Sequence, residues 1–391
     1  MQDDLAPTSR PRVLFFSPVP DFKGGAERSL LDLVSSPFIE PEIAVPQAGP
    51  LSEYFQSRNI PCHVIELGAV GNIRRPFKVA QGVTVQADAL RAARQIKLVS
   101  DRSRISVIHS NGLKAHMINV IARRIGGPPA VTHIRDIANT GIEGATWRGL
   151  QLLSDRMVIV SRACWPGTKL PGNVRVIPNG VSCSPGQGLA GYKPAPAGGA
   201  TTVGFIGRIH PSKGLHCLLD WIKAAVVLGL QVDLVVRGKF APETPAYEQQ
   251  IRDQVTKLRL QDRVRLEGFI DDPERVYAGL DIVCVPSIAP DPFPRAVMEA
   301  MGRGMVVIAM PSGGIPDLID HNLNGFLVHD ELSFVVTLKR LQHKPALGLD
   351  IGRQARAKCL ERFTLEKLFA TMANVYAEIL RPPKPSMAAL S

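Results

Sequence analysis

The stretch APDPFPRAVMEAMGRG, residues 289–304, places two carboxylates around the predicted start of one helix. Asp291 precedes this helix, which we predict over 293–303, and Glu299 lies about two turns inside it. A helix N-terminus presents unpaired N–H groups and the positive end of a dipole, so it readily binds an anion such as phosphate. The flanking acids can accept hydrogen bonds from hydroxyl groups. The stretch therefore predicts a site for a sugar joined to a nucleoside through a diphosphate.

Outward from this stretch, strand and helix patterns alternate twice along the chain. β-Branched runs occupy 12–18, 42–46, 62–67, 106–111, 130–136 and 157–161, then 201–209, 232–238, 263–269, 281–287 and 305–310. In the second set, helical patterns begin near Gly214, Tyr247, Pro273 and Phe293. Such alternation is typical of parallel sheets covered by helices. We therefore predict an α/β protein with two Rossmann-like domains rather than one long sheet.

The boundary between the two domains is marked by composition. Residues 182–200 are rich in Gly and Pro and have no hydrophobic period, which is typical of a linker. We predict a first domain over 1–185, a linker over 186–200 and a second domain over 201–362. An amphipathic helix and a frayed tail are expected within 363–391.

Composition limits the cellular setting and the class of site. The chain has 391 residues, 45% of them apolar, which is enough for two ordinary cores. Its opening resembles neither a signal peptide nor a membrane anchor, and no later apolar run reaches about 18 residues. We therefore expect a cytoplasmic protein. The six cysteines lack metal-ligand spacing and are interpreted as reduced and structural, and no metal site is expected.

Positive charge is concentrated in the first domain. Residues 1–185 carry 22 Lys and Arg against 14 Asp and Glu, which gives +8 of the chain's net +11. The basic region 74–104 contains a predicted helix over 86–100 with an alanine-rich face and an arginine-rich face. This face can contact an anionic membrane as a peripheral site, or it can be an ordinary solvated face. Nucleic acid is not expected, because only 6% of the residues are aromatic and no recognition motif is present.

Each half begins with a strand that enters a glycine-containing turn. After the first strand, Gly24 and Gly25 would let backbone N–H groups approach a ligand, although an ordinary strand-to-helix turn has the same pattern. After the first strand of the second half come Arg208 and Lys213, at the sheet edge where open α/β folds bind ligands. Two cations there would neutralise a diphosphate, and structural salt bridges are the alternative.

These motifs together resemble a known family. VGFIGRIHPSKGL at 203–215, VRLEGFIDD at 264–272, DIVCVPS at 281–287 and the run from Asp291 to Val328 are similar to the retaining glycosyltransferases of family 4. The resemblance extends to 17–34, 107–131 and 175–181, and so covers nearly the whole chain. It implies the GT-B fold, in which two Rossmann-like domains face each other across a cleft. The donor is held mainly by the second domain and the acceptor mainly by the first, to which the last helix usually returns.

The resemblance also assigns donor residues position by position. The positions implied are Gly24 and Gly25 for the glycine loop near the diphosphate, Arg208 and Lys213 for the diphosphate itself, Gly268, Phe269 and Ile270 for the base, Phe293, Pro294 and Arg295 for phosphate or sugar, and Glu299 for the ribose. Asp291 stands where the family has the first Glu of its Glu-x7-Glu motif, and Pro294 stands where the family often has Gly. The shorter acid changes the expected contact with the donor sugar.

In the first domain, many family members have a second histidine two residues after His109, and here that position is Asn111. The resemblance makes Asn111 a catalytic candidate together with Asp291, Arg208 and Lys213, because its amide can bond a sugar hydroxyl. Lys114, His109 and Arg135 are acceptor candidates. A histidine that ends a strand is also commonly a structural residue, and an internal ion pair would explain Arg135 equally well.

The implied activity is transfer of a hexosyl unit from a UDP- or GDP-linked sugar to an acceptor hydroxyl with retention. Neither a cofactor nor a metal is expected, and the acceptor would be a glycan or a lipid-linked glycan of bacterial surface polysaccharide assembly. Two alternatives remain. A nucleotide-sugar 2-epimerase would need titratable acid/base residues that this site does not clearly display, whereas a catalytically silent nucleotide-sugar-binding subunit would be consistent with Asp291 and Asn111.

Overall fold

A computed structural model of the chain describes residues 10–22, 24–73, 82–138, 141–183, 191–194 and 199–381. The chain divides into two compact units. Unit 1 comprises the described residues of Met1–Val160, Trp165–Ile177 and Glu366–Ser391, and unit 2 comprises those of Ser161–Cys164 and Pro178–Leu365. The chain thus leaves unit 1, builds unit 2 and returns to unit 1 with its last helix.

Unit 1 contains a seven-stranded parallel sheet in the order β3-β2-β1-β4-β5-β6-β7. The strands are β1 Arg12–Phe16, β2 Glu40–Val45, β3 Cys62–Val64, β4 Val107–Asn111, β5 Ala130–Ile134, β6 Arg156–Ile159 and β7 Val174–Val176. The central strands are apolar along most of their length and buried on both faces, as expected for a parallel sheet between two helical layers. The strand β7 is an addition to the predicted set.

Unit 2 contains a six-stranded sheet in the order β10-β9-β8-β11-β12-β13, and its strand pairs are parallel. The strands are β8 Thr201–Ile206, β9 Val232–Arg237, β10 Val264–Gly268, β11 Ile282–Val285, β12 Val306–Ala309 and β13 Phe326–Leu327. The five predicted strands are confirmed, and β13 is again an addition. Both short additions lie at a sheet edge, where a strand needs only one partner.

Twelve helices flank these sheets in the described residues. They are α1 Gly25–Val34, α2 Pro50–Gln56, α3 Gly82–Ser103, α4 Leu113–Arg124, α5 Gly141–Leu153, α6 Leu215–Val227, α7 Pro245–Lys257, α8 Arg295–Gly302, α9 Ile315–Leu318, α10 Glu331–His343, α11 Pro345–Arg362 and α12 Leu365–Leu380. None of them is long and apolar enough to cross a membrane.

The helix α3 contains the predicted basic helix of unit 1, and its alanine-rich face is buried as expected. Ala92, Ala93 and Ile96 are fully buried in the cluster beneath the sheet. On the other face, Arg91 pairs with Asp88 and Lys97 with Asp101. Residues 74–81, which include three of the predicted basic side chains, lie outside the described residues. So do most of the predicted linker (184–190 and 195–198), and the tail after residue 381.

The prediction of a helix near Pro273 is wrong, because residues 273–279 form a series of turns. Arg237 lies at the end of β9, and its guanidinium hydrogen-bonds three backbone carbonyls of this segment. Its Nη1 donates to the carbonyl oxygens of Arg275, Val276 and Ala278 at 3.1, 3.1 and 2.8 Å. A side chain thus binds carbonyls that an α-helix would use for its own hydrogen bonds.

The helix α8 begins at Arg295, two residues later than predicted. Phe293 precedes Pro294, and a residue before proline is disfavoured in the helical region. Pro294 itself is extended, with φ −68° and ψ 121°. Glu299 is therefore the fifth residue of the helix, about one turn from its start rather than two.

Candidate functional site

The strand β8 is the point at which the order of the unit 2 sheet reverses. Its neighbours are β9 on one side and β11 on the other, so the connections leave it in opposite directions. In open α/β sheets a crevice forms at this point, outside the carboxyl ends of the strands, and ligands bind there. The residues that follow β8 and β11 include Arg208, Lys213 and Asp291, which gives them a common edge of the sheet.

The loop after β8 is fixed on both sides by backbone hydrogen bonds. Ile209 N donates to Lys239 O at 2.8 Å, and Ala241 N returns a bond to Ile209 O at 2.9 Å. On the other side, Ser212 O accepts from the N–H groups of Ile288 and Ala289, both at 3.1 Å. The loop that holds Arg208 and Lys213 is thus a rigid support for the two cations.

Both cations contact a carboxylate of unit 2. The Lys213 ammonium pairs with the Asp291 carboxylate, and the Arg208 guanidinium pairs with Glu243. The Asp291 side chain is only 11% exposed, whereas the Arg208 and Glu243 side chains are about half exposed. The Lys213 pair is therefore shielded, and the Arg208 pair is open to exchange with another anion such as a phosphate.

The backbone at Asp291 is held by two glycines. Gly314 N donates to Asp291 O at 2.7 Å. Gly313 has φ +61°, and a Cβ at this position would lie 2.2 Å from Asp291 O. Ser161 Oγ donates to Pro292 O at 2.6 Å. These contacts fix the extended segment before α8 and direct the Asp291 carboxylate towards Lys213.

The Glu299 carboxylate projects from α8 and accepts two hydrogen bonds. Arg295 Nε donates to Oε1 at 3.1 Å, and the Tyr277 hydroxyl donates to Oε2 at 2.8 Å. The Glu299 side chain is still 24% exposed. The residues assigned to diphosphate and ribose are therefore carried on one edge of unit 2.

The residues assigned to the base lie at the end of β10 and directly after it. Gly268 has φ +75°, a conformation that favours glycine, and its carbonyl accepts from Gly238 N at 2.7 Å. The Phe269 ring is 48% exposed, with the Lys239 ammonium 4.7 Å from its centre. An exposed aromatic ring beside a cation suits the binding of a planar base.

The glycine loop of unit 1 is open around its first glycine. Gly24 is extended, with φ −173°, so its backbone does not require glycine. A Cβ there would make only an ordinary contact, 3.8 Å from a Glu27 oxygen. Burial raises the pKa of Glu27, and its own amide and that of Gly24 oppose the shift by hydrogen bonding. Because Gly24 has no side chain, its backbone is accessible, although the fold does not require a glycine at this position.

Asn111 connects three elements at the carboxyl edge of the unit 1 sheet. Its Oδ1 accepts from Arg135 Nε at 2.9 Å, and its Nδ2 donates to Ala26 O at the start of α1 at 3.4 Å. Asn111 is only 2% exposed, so both groups of its amide are used or enclosed within unit 1. Lys114, the other cation predicted at this edge, donates to Gly71 O.

His109 is buried, and both of its ring nitrogens bond within unit 1. Arg135 Nη2 lies 3.3 Å from His133 Nδ1, and a guanidinium can only donate, so His133 Nδ1 is an acceptor. His109 Nε2, 3.2 Å from the same atom, must then donate, and His109 Nδ1 accepts from the Tyr376 hydroxyl at 2.8 Å. Burial, assisted by the Arg135 charge, holds the pKa of both histidines well below 6.5. These bonds match the structural alternative for His109.

Within the described residues, no group of three or more His, Cys, Asp or Glu side chains is arranged to hold a metal ion. None of the six cysteines forms a disulfide. Cys183 Sγ and Cys359 Sγ lie 3.5 Å apart in the interior of unit 2.

Comparison with known proteins gives a family match for most of the second half of the chain. Residues 200–344, which contain β8 to α10, match the family described as "Glycosyl transferases group 1". This match covers the part of the chain that holds the unit 2 sheet. The motif resemblance is thereby confirmed, and the matched range contains every donor residue assigned to unit 2.

Several characterised glycosyltransferases are similar to this chain. It is 30% identical over 190 residues to D-inositol 3-phosphate glycosyltransferase of Saccharomonospora viridis, covering 46% of this chain and 43% of that one. It is 27% identical over 215 residues to phosphatidyl-myo-inositol mannosyltransferase of Mycobacterium leprae, covering 52% and 54%. The chain thus spans about half the length of these two relatives. A third similarity, to UDP-Gal:alpha-D-GlcNAc-diphosphoundecaprenol alpha-1,3-galactosyltransferase of Escherichia coli, is 22% over 309 residues, covering 71% and 77%.

Solved structures confirm the fold. HepE of Anabaena in complex with UDP and glucose superimposes with a TM-score of 0.76 at 22% identity, covering 94% of this chain and 100% of that one. A glycosyltransferase of Rickettsia africae superimposes with a TM-score of 0.78 at 18% identity, covering 95% and 99%. These neighbours have the GT-B fold, so the prediction of a GT-B protein with two parallel sheets is confirmed.

Two side chains at this edge of unit 2 were absent from the predicted set. Tyr277 contacts Glu299 from a segment that was expected to be a helix, and Glu243 contacts Arg208 from the loop before α7. Tyr277 lies 22 positions before Glu299 in a run without a recognisable motif. No local pattern connects residues so far apart, and only the fold brings them together.

Proposed function

We propose that this protein transfers a hexosyl unit from a nucleotide diphosphate sugar to an acceptor hydroxyl with retention at the anomeric carbon. The observation that supports it most is the arrangement at the edge of unit 2. Lys213 and Asp291 meet in front of α8, and Glu299 projects from the same helix. The sugar, the diphosphate and the ribose of a sugar nucleotide would thus each find a partner at this edge.

Each residue has a defined role in this proposal. Arg208 and Lys213 neutralise the diphosphate as it leaves, and the N–H groups at the start of α8 add the positive end of a dipole. Glu299 accepts hydrogen bonds from the ribose, and the main chain at Gly268, Phe269 and Ile270 contacts the base. Asp291, held by Lys213, is the acid nearest the donor sugar.

The proposal also assigns roles to residues of unit 1. Gly24 and Gly25 would present backbone to the diphosphate, and Asn111 would hydrogen-bond the donor sugar. Arg135 and Lys114 would bind the acceptor, with His109 as part of the network behind them. In the proposed reaction the leaving phosphate oxygen takes the proton of the acceptor hydroxyl on the same face of the sugar, so no enzyme nucleophile is needed. The reaction would need no metal, because the two cations neutralise the leaving group.

The names of similar proteins support the substrate class. HepE was solved with UDP, with UDP and glucose, and with UDP-glucose. The Escherichia coli relative uses UDP-Gal and a diphosphoundecaprenol-linked acceptor. We therefore propose a UDP-linked hexose as the first donor to test, with a GDP-linked hexose as the second. The acceptor would be a lipid-linked or soluble glycan of bacterial surface polysaccharide assembly.

The setting proposed for this activity is the cytoplasm, at the inner face of the membrane. The basic region around α3 would contact anionic headgroups, because Arg91, Arg94 and Lys97 share one face of that helix. Binding to vesicles with and without anionic lipid tests this part by itself. Equal binding to both kinds of vesicle would contradict it.

The activity is tested with a panel of UDP-, GDP- and dTDP-sugars, each with and without lipid-linked acceptor. Acceptor-dependent release of nucleotide is expected for one donor. Lys213→Ala and Glu299→Ala should each lower turnover by about a hundredfold or more, because each removes a charge-assisted contact to the donor. Lys257→Ala and Glu361→Ala, at exposed positions of unit 2, are the matched controls. Isomerised sugar nucleotide would indicate an epimerase, and binding without turnover a silent subunit.

A further inference from the structure

Glu299 is bonded on both carboxylate oxygens, each to a different donor of unit 2. Oε1 accepts from Arg295 and Oε2 from Tyr277, at 3.1 and 2.8 Å. A carboxylate oxygen has two acceptor positions, so each keeps one after these bonds are made. Because about a quarter of the Glu299 side chain is exposed, these two positions are open to a ligand.

The donor on Oε2 is a tyrosine that cannot easily move or ionise. Tyr277 is 1% exposed, so the surrounding core fixes its ring. Burial and the adjacent Glu299 charge raise the pKa of its hydroxyl well above 10. The hydroxyl is therefore protonated at neutral pH and donates its hydrogen to Glu299.

The segment that carries Tyr277 is fastened from two sides. The Arg303 guanidinium lies 4.4 Å from the centre of the Tyr277 ring, and its Nη1 and Nη2 donate to Glu299 O and Pro273 O at 3.1 and 2.8 Å. From the other side, Arg237 binds three carbonyls of residues 275–278. These contacts replace the expected helix by turns and hold the tyrosine against α8.

We propose that Tyr277 is a positioning residue that orients the Glu299 carboxylate towards the 2′- and 3′-hydroxyls of ribose, and that it thereby makes the site selective for ribonucleotide donors. Two adjacent oxygens, each with one open acceptor position, match two adjacent hydroxyls. A 2′-deoxynucleotide leaves one of them without a partner. Because Tyr277 donates to only one oxygen, its loss lets the carboxylate rotate and weakens this match. The inference rests on the proposed function, since it takes Glu299 as the ribose anchor.

The test compares UDP with 2′-deoxy-UDP by calorimetry on the full chain. We expect the wild type to bind UDP at least about tenfold more tightly, as is typical of a hydrogen bond to a charged group. Tyr277→Phe keeps the ring and removes only the hydroxyl. This variant should reduce the preference for UDP over 2′-deoxy-UDP to about threefold or less, mainly by weakening the binding of UDP. If the sugar panel identifies guanine, GDP and 2′-deoxy-GDP replace the uracil pair.

Two further variants separate positioning from a purely structural effect. Tyr247→Phe removes another buried tyrosine hydroxyl of unit 2, one bonded to His216 at 2.7 Å, and should keep the full preference. Glu299→Gln keeps the shape of the side chain and should lose the preference as Tyr277→Phe does. Melting curves identify which variants are folded. If Tyr277→Phe does not fold, the preference for UDP is tested with Glu299→Gln instead.

The outcomes that overturn the inference are distinct. Equal weakening of both nucleotides in Tyr277→Phe, with the preference intact, would make Tyr277 merely structural. If Tyr277→Phe is unfolded, an intact preference in Glu299→Gln overturns the inference. A wild type that binds UDP and 2′-deoxy-UDP equally would remove the ribose role of Glu299 and the inference with it. The glycosyltransferase proposal would still be judged separately, by acceptor-dependent release of nucleotide in the sugar panel.

Discussion

Asp291 is a short carboxylate whose backbone position determines its partner. Its backbone is fixed by Gly314 and Ser161, so the side chain can reach only what lies within its own length. That partner is the Lys213 ammonium. The shorter acid therefore has two proposed roles: it holds the cation assigned to the diphosphate, and it is proposed to contact the donor sugar.

Asp291→Asn should separate these two purposes. Loss of the charge removes a charge-assisted bond to the sugar but also removes repulsion against the diphosphate. We expect kcat/KM for the sugar nucleotide to fall about tenfold or more, while the Kd for UDP, which has no sugar, falls or stays within about threefold. Asp350→Asn, on the exposed surface of α11, is the control. Equal losses for both ligands would show that Asp291 acts only through Lys213.

At the scale of single residues, the sequence predicted those positions that belong to one local motif. Lys213 and Glu299 were selected because they belong to a turn and a helix start that are recognisable in the sequence. Tyr277 could not be predicted in this way, because its role depends on Arg237 and Arg303 shaping the segment around it.

Among the elements, the turn between β8 and α6 depends on the conformation of one glycine. Gly214 has φ +74°, and a Cβ there would lie 1.9 Å from Pro286 O. The residue before it is Lys213. The same close approach that positions the loop against residues 286–289 therefore also fixes the direction of this cation.

Gly214→Ala should destabilise unit 2 far more than the same change at Gly229. Gly229 has φ +82° but no atom within 4 Å of a built Cβ, so alanine there would meet backbone strain alone, about 1 to 2 kcal/mol. At Gly214 the clash adds to this strain, and we expect about 3 kcal/mol or more. Denaturant unfolding of the two variants measures the difference. Similar losses of unfolding free energy in the two variants would mean that the loop at Gly214 shifts to accommodate the Cβ without cost.

Element positions were predictable where hydrophobic pattern and tertiary contacts agree. The long strands and α3 have strong patterns, whereas β7 and β13 are too short to show one. The start of α8 was misplaced, because the effect of Pro294 on Phe293 outweighed the apolar pattern. The series of turns at 273–279 was unpredictable for a different reason, since its bonding partners come from β9 and α8.

For the whole molecule, the last helix is a structural part of unit 1. The inward face of α12 includes Met372, Val375 and Tyr376, each nearly fully buried. Burial of such side chains contributes about 1.5 to 3 kcal/mol each. Tyr376 also bonds His109 on β4, a residue 267 positions earlier in the chain.

The buried histidines of unit 1 should make its stability depend on pH. Their pKa values are lowered in the folded state, so below pH 6.5 the unfolded chain binds more protons than the folded one, and stability falls as pH falls. Each histidine contributes about 1.4 kcal/mol per pH unit in this range. Tyr376, Arg135 and His116 are the titratable or charged groups that face them.

His133→Gln should remove about half of this dependence. Hydrogen exchange at the amides of β4 and β5, followed between pH 6.5 and 5, measures the stability of unit 1. The slope of the variant should be shallower than that of the wild type by about 1.4 kcal/mol per pH unit. His329→Gln, at an exposed position of unit 2, is the control. Parallel curves for His133→Gln and the wild type would contradict the lowered pKa.

The two ends of unit 2 lie side by side within it. Val181 N donates to Phe363 O at 2.9 Å, and Val181 pairs with Thr364 in a parallel bridge. The segment that enters the unit and the segment that leaves it therefore meet at one place. A segment whose two ends adjoin is topologically suited to exchange between proteins, because its main connections to the rest of the chain are made at one place.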